Sequence, residues 1–280
     1  MPQWPPSLTD PSYAPMVLGA VSSGDYEHVF VPLKVGGVTF QVSRDALKIG
    51  GVRVNMSAVL QQHVADLLGA RLLTPTLLDQ MWAQRQVTLT PCVQTFTEST
   101  AGMIAHSACI DQKLAAAGGV PTDGIVQTVG KTWVLDNELL DHPGMACNMG
   151  WYLEKPMPNV PFDAAPTLAG AHMIQSPGYA HSAVYAGDYS QVGLFVLADD
   201  NFDTTVANGG VPLRVLRQPG APELVTPPAS PAVVPGAPTV AIIGFGAVIG
   251  AKIAGAPGAL MGGALGWTVD TIRRRLISPS

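Results

Sequence analysis

Residues 174–191 read IQSPGYAHSAVYAGDYSQ and bring Gln175, His181, Tyr185, Asp188, Tyr189 and Ser190 into eighteen positions. An imidazole, a carboxylate and a hydroxyl are the parts of a general base, an orienting group and a nucleophile. In an extended segment Asp188 and Ser190 share a face, because side chains alternate with period two. Lys131, in GKTWVLDN, offers a cation for developing negative charge, and His106 offers a second imidazole. The catalytic candidates are therefore His181 as base, Asp188 as its orienter, Ser190 as nucleophile or substrate-binding hydroxyl, Lys131 and His106. Asn137, Trp151, Gln175 and Tyr189 are the expected substrate contacts. No GxSxG elbow surrounds Ser190, and a triad is defined by geometry rather than nearness in sequence. A thiol alternative pairs Cys147 or Cys109 with His181, oriented by Asn137. The bland alternative makes His181 a loop residue and 188–190 a turn capping a strand.

Metal and nucleotide chemistry find less support. His181 and Asp188 have the spacing of the zinc-dependent D-Ala-D-Ala peptidases, but Tyr179 and Val184 stand where that pattern has Ser and Gly. No His follows His181, and no HExxH pair exists. No metal and no cofactor is expected. The acidic loop at 199–203 reads as a solvated turn. GAVIGAKIAG has suggestive glycines but lies in an apolar tail, which excludes a nucleotide site there.

The string of Lys131 with Asn137, Gly150-Trp151, Gln175, His181 and Asp188-Tyr189-Ser190 resembles a pattern in uncharacterised bacterial and phage proteins: K-x-W/D-V…N, then Y-G-W-H/Y, then I-Q…H…Y-x-D-Y-S. LLGARLLTPTLLDQMWAQRQVTLTP and GDYEHVFVPL are similar to the same proteins, so the likeness spans about 24–215. The sequence departs from the pattern at Ala186-Gly187, where one residue is inserted, and at Tyr152, where many relatives have His. The resemblance implies that His181, Asp188 and Lys131 converge in the fold, joined by His106.

The elements that must position these residues follow from periodicity. Residues 1–25 are rich in Pro, Ser and Gly and read as an irregular arm. Residues 29–33 and 38–42 flank Gly36-Gly37 as a hairpin. Val59, Leu60, Val64, Leu67 and Leu68 predict an amphipathic helix over 56–72. A second helix, 77–83, is capped by Thr74 or Thr76, and a third, 100–117, carries His106. Strands are predicted at 124–135, 146–153, 171–175, 192–197 and 211–215. Helices first and strands later predict an α+β body: a helix-rich first half packed on a mainly antiparallel sheet.

The 280 residues are 47% hydrophobic and only 12% charged, about half the usual charged share. A net charge of -5 excludes a broad nucleic-acid surface. Cys92, Cys109 and Cys147 form no CxxC pair and read as free thiols, with one chance pair open. The N-terminus shows no basic region followed by an apolar run, so no Sec signal peptide is expected.

The chain divides into an arm (1–25), a body (26–216), a Pro-rich linker (217–238) and an apolar tail (239–280). In the tail Gly246, Gly250, Ala254, Gly258, Gly262 and Gly266 recur every fourth residue. On a helix this spacing draws a groove for close backbone approach. The tail resembles glycine-zipper membrane segments of bacterial envelope proteins and of some membrane-penetrating proteins. It predicts membrane contact and a homo-oligomer, with a Gly/Ala-rich oligomerisation helix in a soluble particle as the alternative. Residues 253–272 supply the roughly 20 apolar positions a span requires, and Arg273–Arg275 favour a cytoplasmic end.

Taken together, these features predict an envelope-acting hydrolase of peptide, amide or related bonds, with peptidoglycan as a candidate substrate. It would be held at a membrane of the bacterial envelope, or carried in a phage virion. The alternative is a non-enzymatic structural or membrane-penetrating protein of a phage or secretion particle.

Overall fold

The computed structural model describes residues 2–95, 97–120, 122–155, 172–199 and 202–223. The first helix lies inside the expected arm. α1 (Tyr13–Ser23) buries Tyr13, Val17, Leu18 and Val21 and ends at Gly24, whose φ of 82° lets its N–H cap the last turn. The Pro and Ser content of 1–25 masked this apolar stripe. β1 (Phe30–Val35) and β2 (Val38–Ser43) form the expected hairpin. Both turn glycines have positive φ, as a tight turn matched to strand twist requires.

A smaller hairpin, β3 (Lys48–Ile49) with β4 (Val52–Arg53), precedes α2 (Ala58–Leu67). Ser57 caps α2 by accepting from the Leu60 N–H. The helix expected over 56–72 is shorter than its apolar pattern: Gly69, at φ 62°, ends the helical path, and the next residues become β5 (Ala70–Leu72). α3 (Pro75–Ala83) is capped by Thr74 with Pro75 in its first turn. β6 (Val87–Thr88) follows, and α4 (Thr100–Ala116) starts from the Ser99 cap. The strand expected over 124–135 is split, with Thr128 at φ 71° between β7 (Val126–Gln127) and β8 (Lys131–Val134). After a 3₁₀ turn at Asn137–Leu140 come β9 (Met145–Leu153), β10 (His172–Ser182), β11 (Phe195–Leu197) and the short α5 (Thr204–Ala207).

The architecture is α+β. The strands do not make one sheet: they form a four-stranded sheet in the order β1-β2-β11-β5, a three-stranded sheet β10-β9-β8, and two pairs, β3-β4 and β6-β7. Between the named strands every pairing among the described residues is antiparallel except β6 with β7, and isolated parallel bridges join Leu73 to Val134 and Lys131 to Gln191. The first half holds β1 to β6 among its helices, so the expected order of helices first and strands later is corrected. Short strands of two or three residues carry no readable alternation.

The expected strand at 211–215 is instead a nonregular segment. Asn137 holds it, donating to the Pro212 carbonyl and accepting from the Arg214 N–H. Trp133, Leu72, Leu73, Phe195 and Leu33 are fully buried. Gln61 ties the sheets together inside the body, donating to Thr132 Oγ1 and to the carbonyl of Leu194. Cys147 is the free thiol, while Cys92 and Cys109 are joined by a disulfide, the one pair left open. Their Cα atoms lie 6.1 Å apart, a proximity that a separation of seventeen residues cannot reveal.

This compact unit closes at Ala221. Among the described residues no helix is long and apolar enough to cross a membrane. The tail, with Gly246, Gly250, Gly258, Gly262 and Gly266, and the linker beyond residue 223 lie outside the described residues.

Candidate functional site

Residues 188–192 run between β8 and the segment after β4. Lys131 N–H donates to the Ser190 carbonyl and Val192 N–H to the Lys131 carbonyl, each at 2.8 Å. On the other side Met56 N–H donates to the Gln191 carbonyl, and the Asn55 side chain donates to the Asp188 carbonyl. One glycine allows so tight a fit on the β8 side, and a second allows β9 to approach β8. A Cβ on Gly130 would stand 2.6 Å from the Ser190 carbonyl oxygen, and one on Gly150 would stand 2.9 Å from the Lys131 Cα. Gly150 pairs with Lys131 across β8 and β9. The next residue, Trp151, is held at φ 55°, a left-handed conformation that costs a non-glycine residue about 1–2 kcal/mol.

Within this frame Lys131 Nζ donates to Asp188 Oδ2 at 3.1 Å. The other carboxylate oxygen accepts from the Ser190 N–H at 2.8 Å and from the Ser190 hydroxyl. Gln191 Oε1 accepts from the Asp188 N–H at 2.6 Å. The side chains of Lys131 and Asp188 are 13% and 12% exposed, so the pair retains only a small opening to solvent. Ser190 is buried.

His106, on α4, packs edge-on against Tyr189 at 5.3 Å and tilted against Trp151 at 5.9 Å between ring centroids. Lys131 Nζ lies 5.9 Å from the Trp151 ring centre. Both ring nitrogens of His106 are buried without a hydrogen-bond partner, as is Trp151 Nε1. Burial pushes His106 down to about 4; the Arg53, Lys113 and Lys131 charges act the same way, and Asp188 opposes them. The ring is neutral at pH 7.

His181 sits at the end of β10 and stacks on Tyr185 at 4.6 Å, with Trp133 edge-on at 6.0 Å. Burial first, then the Lys131 charge, lower its pKa, and Asp188 pulls the other way. His181 is thus a neutral base within the field of the Lys131–Asp188 pair. It does not orient on Asp188 as a triad would: the hydrogen bonds that occupy the carboxylate come from Lys131 and Ser190.

The arrangement therefore brings together Lys131, Asp188, Ser190, His106, Trp151 and Tyr189, with His181 at the margin. Gln175 lies opposite Gly150 in the β9–β10 pairing. Asn137 serves the 212–214 segment instead, its amide taken on both sides. The thiol alternative fails, because Cys109 is in the disulfide and burial pushes the Cys147 thiol up to about 12. Trp133 and Trp151 are both buried, so neither offers an open stacking face to a ligand.

Asn55 and Gln94, whose N–H donates to the Tyr189 hydroxyl at 2.8 Å, carried no sequence signal, and Gln191 carried only its place beside Asp188-Tyr189-Ser190. Among the described residues no three His, Cys, Asp or Glu side chains gather as metal ligands. Two surface clefts, one of about 540 Å³ beside Asp25, Tyr26 and Glu27 and a smaller one beside His28 and Arg44, share no residue with this cluster. No protein family, curated protein or solved structure matches the chain.

Proposed function

We propose that this protein is an envelope-acting hydrolase of peptide, amide or related bonds, with peptidoglycan as its substrate and its glycine-zipper tail as its attachment to a membrane. The observation that carries this reading is the Lys131–Asp188 pair beside the neutral imidazole of His106 and the left-handed Trp151, with a second neutral imidazole, His181, within the field of the same pair. Backbone strain of this kind collects at functional sites, where the surrounding structure holds it in place.

In this reading water is the nucleophile. His181 accepts its proton as it attacks the carbonyl carbon and returns that proton to the leaving nitrogen. Lys131 faces the oxyanion. Asp188 holds the ammonium in position, and the buried Ser190 hydroxyl holds Asp188.

Purified sacculi incubated with the full chain are expected to release soluble products. His181→Ala is expected to lower that rate by at least about 10²-fold, the usual contribution of a positioned general base. A folded protein that releases nothing overturns the hydrolase.

The second reading rests on the saturation of Asp188, whose oxygens are occupied by Lys131 and Ser190. The cluster is then a polar stitch, and the chain is a structural or membrane-penetrating component of a phage or secretion particle acting through its tail.

A further inference from the structure

Tyr189 is bonded by a connection without regular structure between β6 and α4, described at residues 90–95 and 97–98. This strap holds Tyr189 at two points. Gln94 N–H donates to the Tyr189 hydroxyl at 2.8 Å, and Tyr189 N–H donates to the Thr97 carbonyl at 3.1 Å. Its outer side is open to solvent at Val93 and Thr95.

The strap is fastened to α4 in two ways. Lys113 Nζ donates to the Thr90 and Pro91 carbonyls at 2.7 and 3.1 Å, contacts at the solvent edge. The covalent fastening is Cys92–Cys109. Cys109 lies three residues after His106, close to one helical turn. One covalent bond thus joins the strap that pins Tyr189 to the helix that presses His106 on the same ring. Cys92 is buried, and Cys109 is half-buried and the more accessible half of the bond.

We propose that Cys92–Cys109 is a redox lock on this strap: oxidised, it keeps the strap fastened on Tyr189, the neighbour of Asp188, and reduced, it lets the strap lift. The chemistry is thiol–disulfide exchange with a small or protein dithiol. One thiolate of the reductant attacks a protein sulfur, and the S–S bond breaks to give a mixed disulfide. The second thiol of the reductant then closes on the first. Two electrons and two protons pass to the protein, giving two cysteine thiols, and the reductant leaves as its own disulfide. The proposal rests on the hydrolase reading only for what an open site does; the lock itself is independent of turnover.

Amide hydrogen exchange on the full-length oxidised chain, with and without dithiothreitol, tests it. Reduction is expected to accelerate exchange at Gln94 and Tyr189 at least tenfold. The buried reference amide of Leu135, which donates to the Leu73 carbonyl at 2.8 Å, stays unchanged. Unchanged exchange at Gln94 and Tyr189 overturns the proposal. So does equal acceleration at Leu135, which would make the disulfide a staple of the whole body. Cys92→Ser with Cys109→Ser repeats the reduced state without reductant; if that variant does not fold, the reduced natural chain carries the test. Because the readout needs no product release, an inactive protein with a lifting strap refutes the hydrolase and leaves the lock standing.

Discussion

His106 is a buried imidazole whose ring nitrogens have no partner, and the consequence is a pH dependence of stability. Its folded-state pKa is near 4, against an ordinary 6.5, chiefly because burial disfavours the charged form. His28 is depressed to about 4 for the same first reason. Between those values the unfolded chain binds protons that the folded chain refuses, so stability rises with pH in that window. Above 6.5 both forms are neutral and the contribution is complete; it is lost as pH falls from 6.5 toward 4. Urea midpoints measured from pH 7 to pH 4 are expected to fall steeply. His106→Gln removes one of the three depressed histidines, His28, His106 and His181, and is expected to make that slope shallower. A slope the variant leaves unchanged would mean that His106 charges freely in the folded protein.

Elements meet here by backbone approach and by buried charge, and each makes a distinct prediction. Gly130 lies where 188–192 runs beside the start of β8, and a Cβ there meets the Ser190 carbonyl and both methyls of Val192 below 3.0 Å. Gly130→Ala is expected to cost about 1–3 kcal/mol, the usual penalty of forced overpacking. Gly19, exposed on α1 with nothing within 4 Å of a Cβ, is the matched control. Gly19→Ala is expected to stabilise by up to about 1 kcal/mol through helix propensity. Equal effects at the two positions in denaturant titrations would contradict the packing account.

α4 is fixed to the β3–β4 hairpin by Arg53, whose side chain is wholly buried and donates to Asp45, Asp111 and the Ser107 carbonyl. Arg53→Ala strands Asp45, which is 13% exposed. It is expected to cost about 3–5 kcal/mol, as for a buried pair broken from one side. Asp111 is 46% exposed, and Asp111→Asn is expected to cost about 1 kcal/mol or less. Thermal midpoints of the two variants distinguish these cases.

At the scale of the whole molecule, the compact unit ends at Ala221 and the glycine repeat starts beyond it. Residues 1–221 alone are expected to unfold in a single cooperative transition and to sediment as a monomer. The full chain is expected to associate through the tail. Gly258→Leu with Gly262→Leu places two large side chains in the proposed groove and should shift the sedimenting species toward monomer. An unchanged oligomer would remove the zipper as the association surface.

Composition and local pattern determined much by themselves. The β1–β2 hairpin was legible from two glycines between apolar runs, α2 from its apolar period and α3 from the Thr74 or Thr76 cap, because such signals act within one turn or one strand. The residue types at Lys131, Asp188, Ser190, His106, Trp151 and Tyr189 also drew attention before any fold was known. Tertiary structure decided the rest. Whether Asp188 orients His181 or answers Lys131 depends on where the parallel bridge of Gln191 with Lys131 places the carboxylate, and that close approach depends on Gly130 lacking a side chain. Asn137 faces the 212–214 segment, and Cys92 meets Cys109, through packing between distant stretches of chain. Contacts of this kind leave no periodic trace, since the free energy that selects them comes from burial and close packing assembled across the whole body.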